Sequence, residues 1–137
     1  MQVTVQELQP FIQAIDSCAD LEGDFFGFTK PLIKNRKLLV DAFTEQEEIR
    51  KALCEQHAEK DADGQPMFHE ERGPQGEQAY VFKDRGAFNR DYVTFSNEEL
   101  DIPIVMIKEE FVANIGIKPG QYTALMMMIE EATEKDS

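Results

Sequence analysis

The chain is short of the residues on which small-protein chemistry usually rests. It has two cysteines and two histidines in 137 residues, and 14 basic residues against 27 acidic ones. Cys18 and Cys54 stand far apart, each inside a helical pattern, so no disulfide framework is implied and two buried free thiols are expected. His57 and His69 are too few for a closed zinc site, since with Cys54 they make three ligands and only distant Cys18 remains to complete four. His69-Glu70-Glu71 lacks the second histidine of the zinc-protease motif. A nucleophile pair of Cys54 and His57 would sit on successive turns of an acidic helix, which disfavours the thiolate. There is no Gly-rich loop with Lys-Ser/Thr and no Gly-x-Ser-x-Gly, and carboxylates are too many for any one pair to stand out as an acid–base couple. These absences favour a non-enzymatic protein without a cofactor. Apolar runs fall short of the ~20 residues that cross a bilayer, and no charged-then-apolar leader opens the chain. The expectation is a soluble, cytoplasmic protein with no membrane partner.

What is present in quantity is negative charge. A formal charge of -13 favours solubility and disfavours direct binding to nucleic acid, and it points to a neutral or basic partner. The charge comes in blocks. Residues 1–24 carry Glu7, Asp16, Asp20, Glu22 and Asp24 with no Lys or Arg, whereas Lys30, Lys34, Arg36 and Lys37 follow without an acid until Asp41. The two segments are suited to lie against each other through weak, solvated pairs.

Hydrophobic spacing predicts an α+β fold in one domain over 1–137, with a polar tail at about 132–137. One long helix, two or three shorter helices and a small antiparallel sheet or hairpin make it up. Met1 to Val5 alternates like a strand, and Thr4 with Glu7 has capping-box spacing. Leu8, Phe11, Ile12, Ile15, Cys18 and Ala19 form a buried helical stripe that Pro10 forces either to kink or to start late. Phe25, Phe26 and Phe28 are expected to plug the core. A helix from Pro31 to about Lys60 would be roughly 45 Å long, more than a small domain spans, so its far end should project or find a partner. Leu32, Leu39, Gln46 and Leu53 at one seam position and Asn35, Ala42, Ile49 and Gln56 at the other make too polar a heptad for a zipper. Glu47 and Lys51 have the spacing of a helix ion pair. Beyond Gly64 come a hairpin over Pro66–Lys83 with its turn at Gly73–Gly76, a helix over Asp84–Phe95, and a strand over Leu100–Ile107 demoted to an edge by Pro103. A last helix opens at Lys118-Pro119 with Tyr122, Leu125, Met126 and Ile129 on one face, leaving Met127 as the exposed methionine.

Two candidate sites emerge. Glu59, Asp61, Asp63 and Glu70 fall at positions 1, 3, 5 and 12 of a calcium loop with Gly64 at position 6, although position 1 is Glu and position 8 is Pro66. The competing reading is a turn that ends the long helix, with Gly64 left-handed. The second candidate is a contact surface along the shaft: Glu45, Glu48, Ile49, Ala52, Leu53 and Gln56.

The order of Lys34-Asn-Arg-Lys-Leu-Leu, Asp61-Ala-Asp-Gly-Gln-Pro66, Phe88-x3-Tyr92, Leu100-Asp-Ile-Pro-Ile and Lys118-Pro-Gly-Gln-Tyr-Thr-Ala-Leu125 resembles the small uncharacterised proteins of tailed bacteriophages and prophages. That resemblance covers most of the chain and brings no catalytic residues with it. It implies an interaction or structural protein acting in a bacterial host cell, binding another protein or forming a homo-oligomer. Two alternatives are an acidic DNA mimic that occupies a nucleic-acid-binding protein, and a calcium- or metal-regulated protein using the Glu59–Glu70 loop.

Overall fold

The computed structural model describes residues 1–130; the expected polar tail at 132–137 lies outside them. The fold is α+β, and the chain clusters into two compact units, Met1–Phe43 with Glu99–Ser137, and Thr44–Glu98. The long helix, α2 (Lys30–His57), contributes its first half to one unit and its second half to the other. It stops short of Lys60, because Ala58 and Lys60 are taken into backbone bridges with Phe82 and Pro66.

The first unit opens with β1 (Gln2–Thr4), a single 3-10 turn Val5–Glu7, and α1 (Leu8–Asp16). The late start resolves the conflict over Pro10, which falls in the first turn of α1, where a missing N–H costs nothing. Glu7 Oε1 accepts from both the Thr4 N–H and the Thr4 hydroxyl at 2.8 Å. These bonds lower the Glu7 pKa, the backbone bond most. Leu8, Ile15 and Cys18 are buried as the stripe predicts, but Ala19 is exposed because α1 ends at Asp16 and the chain has left the helical register.

Only Phe28 of the three loop aromatics is core. Phe25 and Phe26 are 54% and 74% exposed, contrary to the expectation of a plug. The segment Phe25–Thr29 winds as a wide π turn running directly into α2, with the Asp24 carboxylate accepting from Gly27 N–H at 2.7 Å. Gly27 is required there, since a Cβ would stand 2.6 Å from the Phe111 ring.

The acidic and basic blocks do meet, through Arg36 on α2 and Asp16 on α1 at 2.6 Å and 3.2 Å. Lys37 instead pairs along its own helix with Asp41. Along α2 the seam residues Leu32, Asn35 and Leu39 are buried, while Ile33 faces out.

The expected strand over Leu100–Ile107 is broken into β4 (Glu99–Asp101) and β5 (Ile107–Lys108), with Pro103 between them unable to donate to a ladder. β4 pairs antiparallel with β1, Val3 opposite Leu100. The last helix, α4 (Pro119–Leu125), gives way to a 3-10 turn Met126–Met128 and then to β6 (Ile129–Glu130). β6 runs parallel to β5, Ile107 opposite Ile129, so one pair departs from the antiparallel expectation. The methionines are corrected too: Met126 is exposed, Met127 half-buried and Met128 fully buried, since the helical period ends at Leu125. Val3, Leu8, Phe28, Leu39, Ile107 and Leu125 all belong to this unit's single core.

The second unit joins the end of α2 to β2 (Phe68–Arg72), β3 (Gln78–Tyr80) and α3 (Arg85–Ser96). β2 and β3 form the expected hairpin, irregular between Phe68 and Arg72. Asp84 caps α3, accepting from Ala87 N–H at 3.1 Å. Among its described residues only Gln46, Cys54 and Ala58 are buried. The predicted Glu47–Lys51 pair is replaced by Glu47–Arg50, because the planar guanidinium grips both carboxylate oxygens.

Candidate functional site

The distal half of α2 is not a free shaft. One side of it, carrying Arg50, Cys54, His57 and Ala58, is occupied within the Thr44–Glu98 unit. His57 is largely covered: its Nε2 lies 2.7 Å from Asp91 Oδ2 on α3, and its ring meets Phe88 edge to face at 5.8 Å.

An aromatic ladder runs through the same unit. Phe68 and Tyr80 face each other across the hairpin with centroids 4.7 Å apart. Phe82 stacks on Phe88 at 4.0 Å and 14° between planes, and Phe88 leads to Tyr92 at 5.6 Å. These rings line a cleft of about 510 Å³, within the size range of small-ligand sites. Three cations, Arg50, Lys51 and Arg85, also line it, against one carboxylate, Glu77. Glu77 Oε2 already accepts from Gln75 N–H.

Cys54 borders this cleft but is buried. Burial pushes its pKa up, and the nearby Arg50, whose Nη1 is 3.9 Å from Sγ, offsets that only in part. The Glu47 hydrogen bonds raise the Arg50 pKa in turn, fixing it as a cation. Burial likewise raises the Tyr80 phenol.

The acidic segment forms a tight hairpin turn. Asp61 Oδ1 accepts from Asp63 N–H at 2.9 Å and Gln65 N–H at 3.0 Å, Gly64 takes φ +79°, and Lys60 bridges Pro66. Glu59 is drawn into the backbone pairing, donating to Val81 and accepting from Met67, and Glu70 stands exposed on β2. Among the described residues no group of three or more His, Cys, Asp or Glu side chains gathers as a metal-holding cluster.

The predicted contact residues do share one side of α2. At 100° per residue, Glu45, Glu48, Ile49, Ala52 and Gln56 share an arc of about 100° facing away from Cys54, whereas Leu53 sits at its edge, about 60° from Arg50. All are exposed except Leu53, which is half-buried. Sequence reasoning missed the cleft. Its signals were the same-side pair Tyr80 and Phe82 in a period-two run and the Phe88–Tyr92 helical step, which point to one site only once the hairpin closes.

No described helix is long and apolar enough to cross a membrane. Comparisons with protein-family models, curated protein sequences and solved structures return no match.

Proposed function

We propose that the chain is a non-enzymatic interaction protein of the phage or prophage type, acting in the cytoplasm and binding another protein, in the first instance a second copy of itself, through the outward side of distal α2. The exposure of Ile49 carries this reading. Its side chain is 44% open in the middle of a helical row, with Leu53 one turn on and Glu45, Glu48 and Gln56 around them. An apolar pair inside a polar rim is the anatomy of a small interface. The flanking glutamates select a partner that brings neutral or basic groups. The burial of Cys54 and the engagement of His57 by Asp91 favour binding over catalysis.

Light scattering of the wild type beside an Ile49→Glu, Leu53→Glu double variant tests the proposal. A mass above the monomer that falls to the monomer in the variant is expected. A mass unchanged by the variant overturns the assignment of the surface, and a wild-type monomer at every concentration overturns self-association.

A further inference from the structure

We infer that the aromatic cleft of the Thr44–Glu98 unit is a binding site for a small planar aromatic anion of the size of a nucleoside monophosphate. This goes beyond the contact surface on α2, which lies on the other side of the helix. Phe68 and Tyr92 border the cleft and are each 39% exposed, so ring surface is open for a planar group to stack on. Phe82 and Phe88, which also line the cleft, are stacked on each other.

The lining of the cleft carries more cations than carboxylates, in a chain of net charge -13. Lys51 and Arg85 line it and neither has an ion-pair partner among the described residues, whereas Arg50 is held in place by Glu47. Glu77 is the one carboxylate in the lining, and a backbone amide engages it. Two free cations beside open rings complement a ligand with a planar body and one anionic end. The occupant is small because the whole chain carries -13, which repels a long polyanion, whereas one phosphate or carboxylate meets only the local cations.

The test is an NMR titration of the full chain with AMP, with adenosine and inorganic phosphate as controls. AMP is expected to shift amides of β3 and α3 and to bind about tenfold more tightly than either control, the ring and the charge each contributing. A Lys51→Ala, Arg85→Ala double variant should lose about tenfold in AMP affinity. Both side chains are exposed, so their removal leaves the fold intact, which the unchanged remainder of the spectrum checks. The Ile49→Glu single variant should bind AMP as the wild type does, since Ile49 is exposed and about 140° from Cys54 on α2, which separates this site from the contact surface. Absence of cleft shifts, equal binding of AMP and phosphate, or an unaffected double variant overturns the inference. Tighter binding of a single-stranded oligonucleotide than of AMP overturns it as well, making a nucleic-acid strand the occupant.

Discussion

Asn35 serves Val105 as a neighbouring strand would: its side-chain nitrogen donates to the Val105 carbonyl at 2.9 Å, and its side-chain oxygen accepts from the Val105 N–H at 2.7 Å. Val105 lies in the stretch between β4 and β5, which has no ladder partner among the described residues. A fully buried amide on α2 thus completes the backbone of a segment 70 residues away. Asn35→Leu should cost about 1–3 kcal/mol, because both Val105 backbone groups, in part-buried bonds, lose their partner. Asn35→Asp should cost at least as much, since it sets a carboxylate beside the Val105 carbonyl. Urea unfolding at an unchanged m-value measures both, and a loss below about 1 kcal/mol would show that the Val105 groups find other partners.

Gln46 is the opposite case. It is buried at 7% exposure, and its Oε1 has no hydrogen-bond partner among the described residues. Replacing it by Met keeps the length of the side chain and removes the desolvated oxygen. Gln46→Met should raise stability by about 1 kcal/mol. A measured loss of stability would show that the carboxamide is satisfied in solution.

The Arg36–Asp16 contact predicts a particular dependence on acid. Hydrogen bonding from Arg36 holds the Asp16 carboxyl below its ordinary pKa, and Thr4 does the same for Glu7. A lowered folded-state pKa means that the stabilisation is complete above the ordinary carboxylate range. It is lost as pH falls through the folded values. Asp16→Asn should therefore be less stable than the wild type at neutral pH, with the gap closing below about pH 4. Arg36 and Asp16 are both exposed, so the gap is small and shrinks further in salt. A gap that persists undiminished at low pH would assign the effect to packing.

The elements themselves were legible wherever period and punctuation agreed. Leu32, Leu39 and the charged run after Phe43 predict α2, and Gly73–Gly76 between alternating segments predicts the β2–β3 hairpin. What escaped is what depends on partners distant in sequence. Phe25 and Phe26 look like Phe28 in composition, and only the π turn turns them outward. Ile129 continues the helical spacing of Leu125, yet pairing with Ile107 draws it into a parallel strand. The cleft rings come from three separate elements, so no local pattern announces their convergence. His57 gave no sign of Asp91, 34 residues on.

The two thiols should be inert in the folded chain. Cys18 and Cys54 are buried, and burial raises both pKa values, which depletes the reactive thiolate at neutral pH. Ellman's reagent at pH 8 should modify neither at an appreciable rate without denaturant and both in it. Rapid reaction of one thiol in native conditions would reveal local opening of its unit, and comparing Cys18→Ser with Cys54→Ser would say which.

The Asp61 turn separates the two readings of the acidic segment. A calcium loop directs its carboxylates at one centre, but Asp61 Oδ1 is engaged by two amides of its own turn, and the Lys60–Pro66 bridge closes the segment as a hairpin. Asp61→Ala should then cost about 1 kcal/mol by releasing those amides. Gly64→Ala should cost about as much through its left-handed φ of +79°, since nothing stands within 4 Å to clash with a new Cβ. Calcium at millimolar concentration should leave the melting temperature of the wild type unchanged, because a ligand stabilises only the state that binds it. A calcium-dependent rise that Asp61→Ala abolishes would reverse this, and would mean that the carboxylate leaves its amides to take the ion.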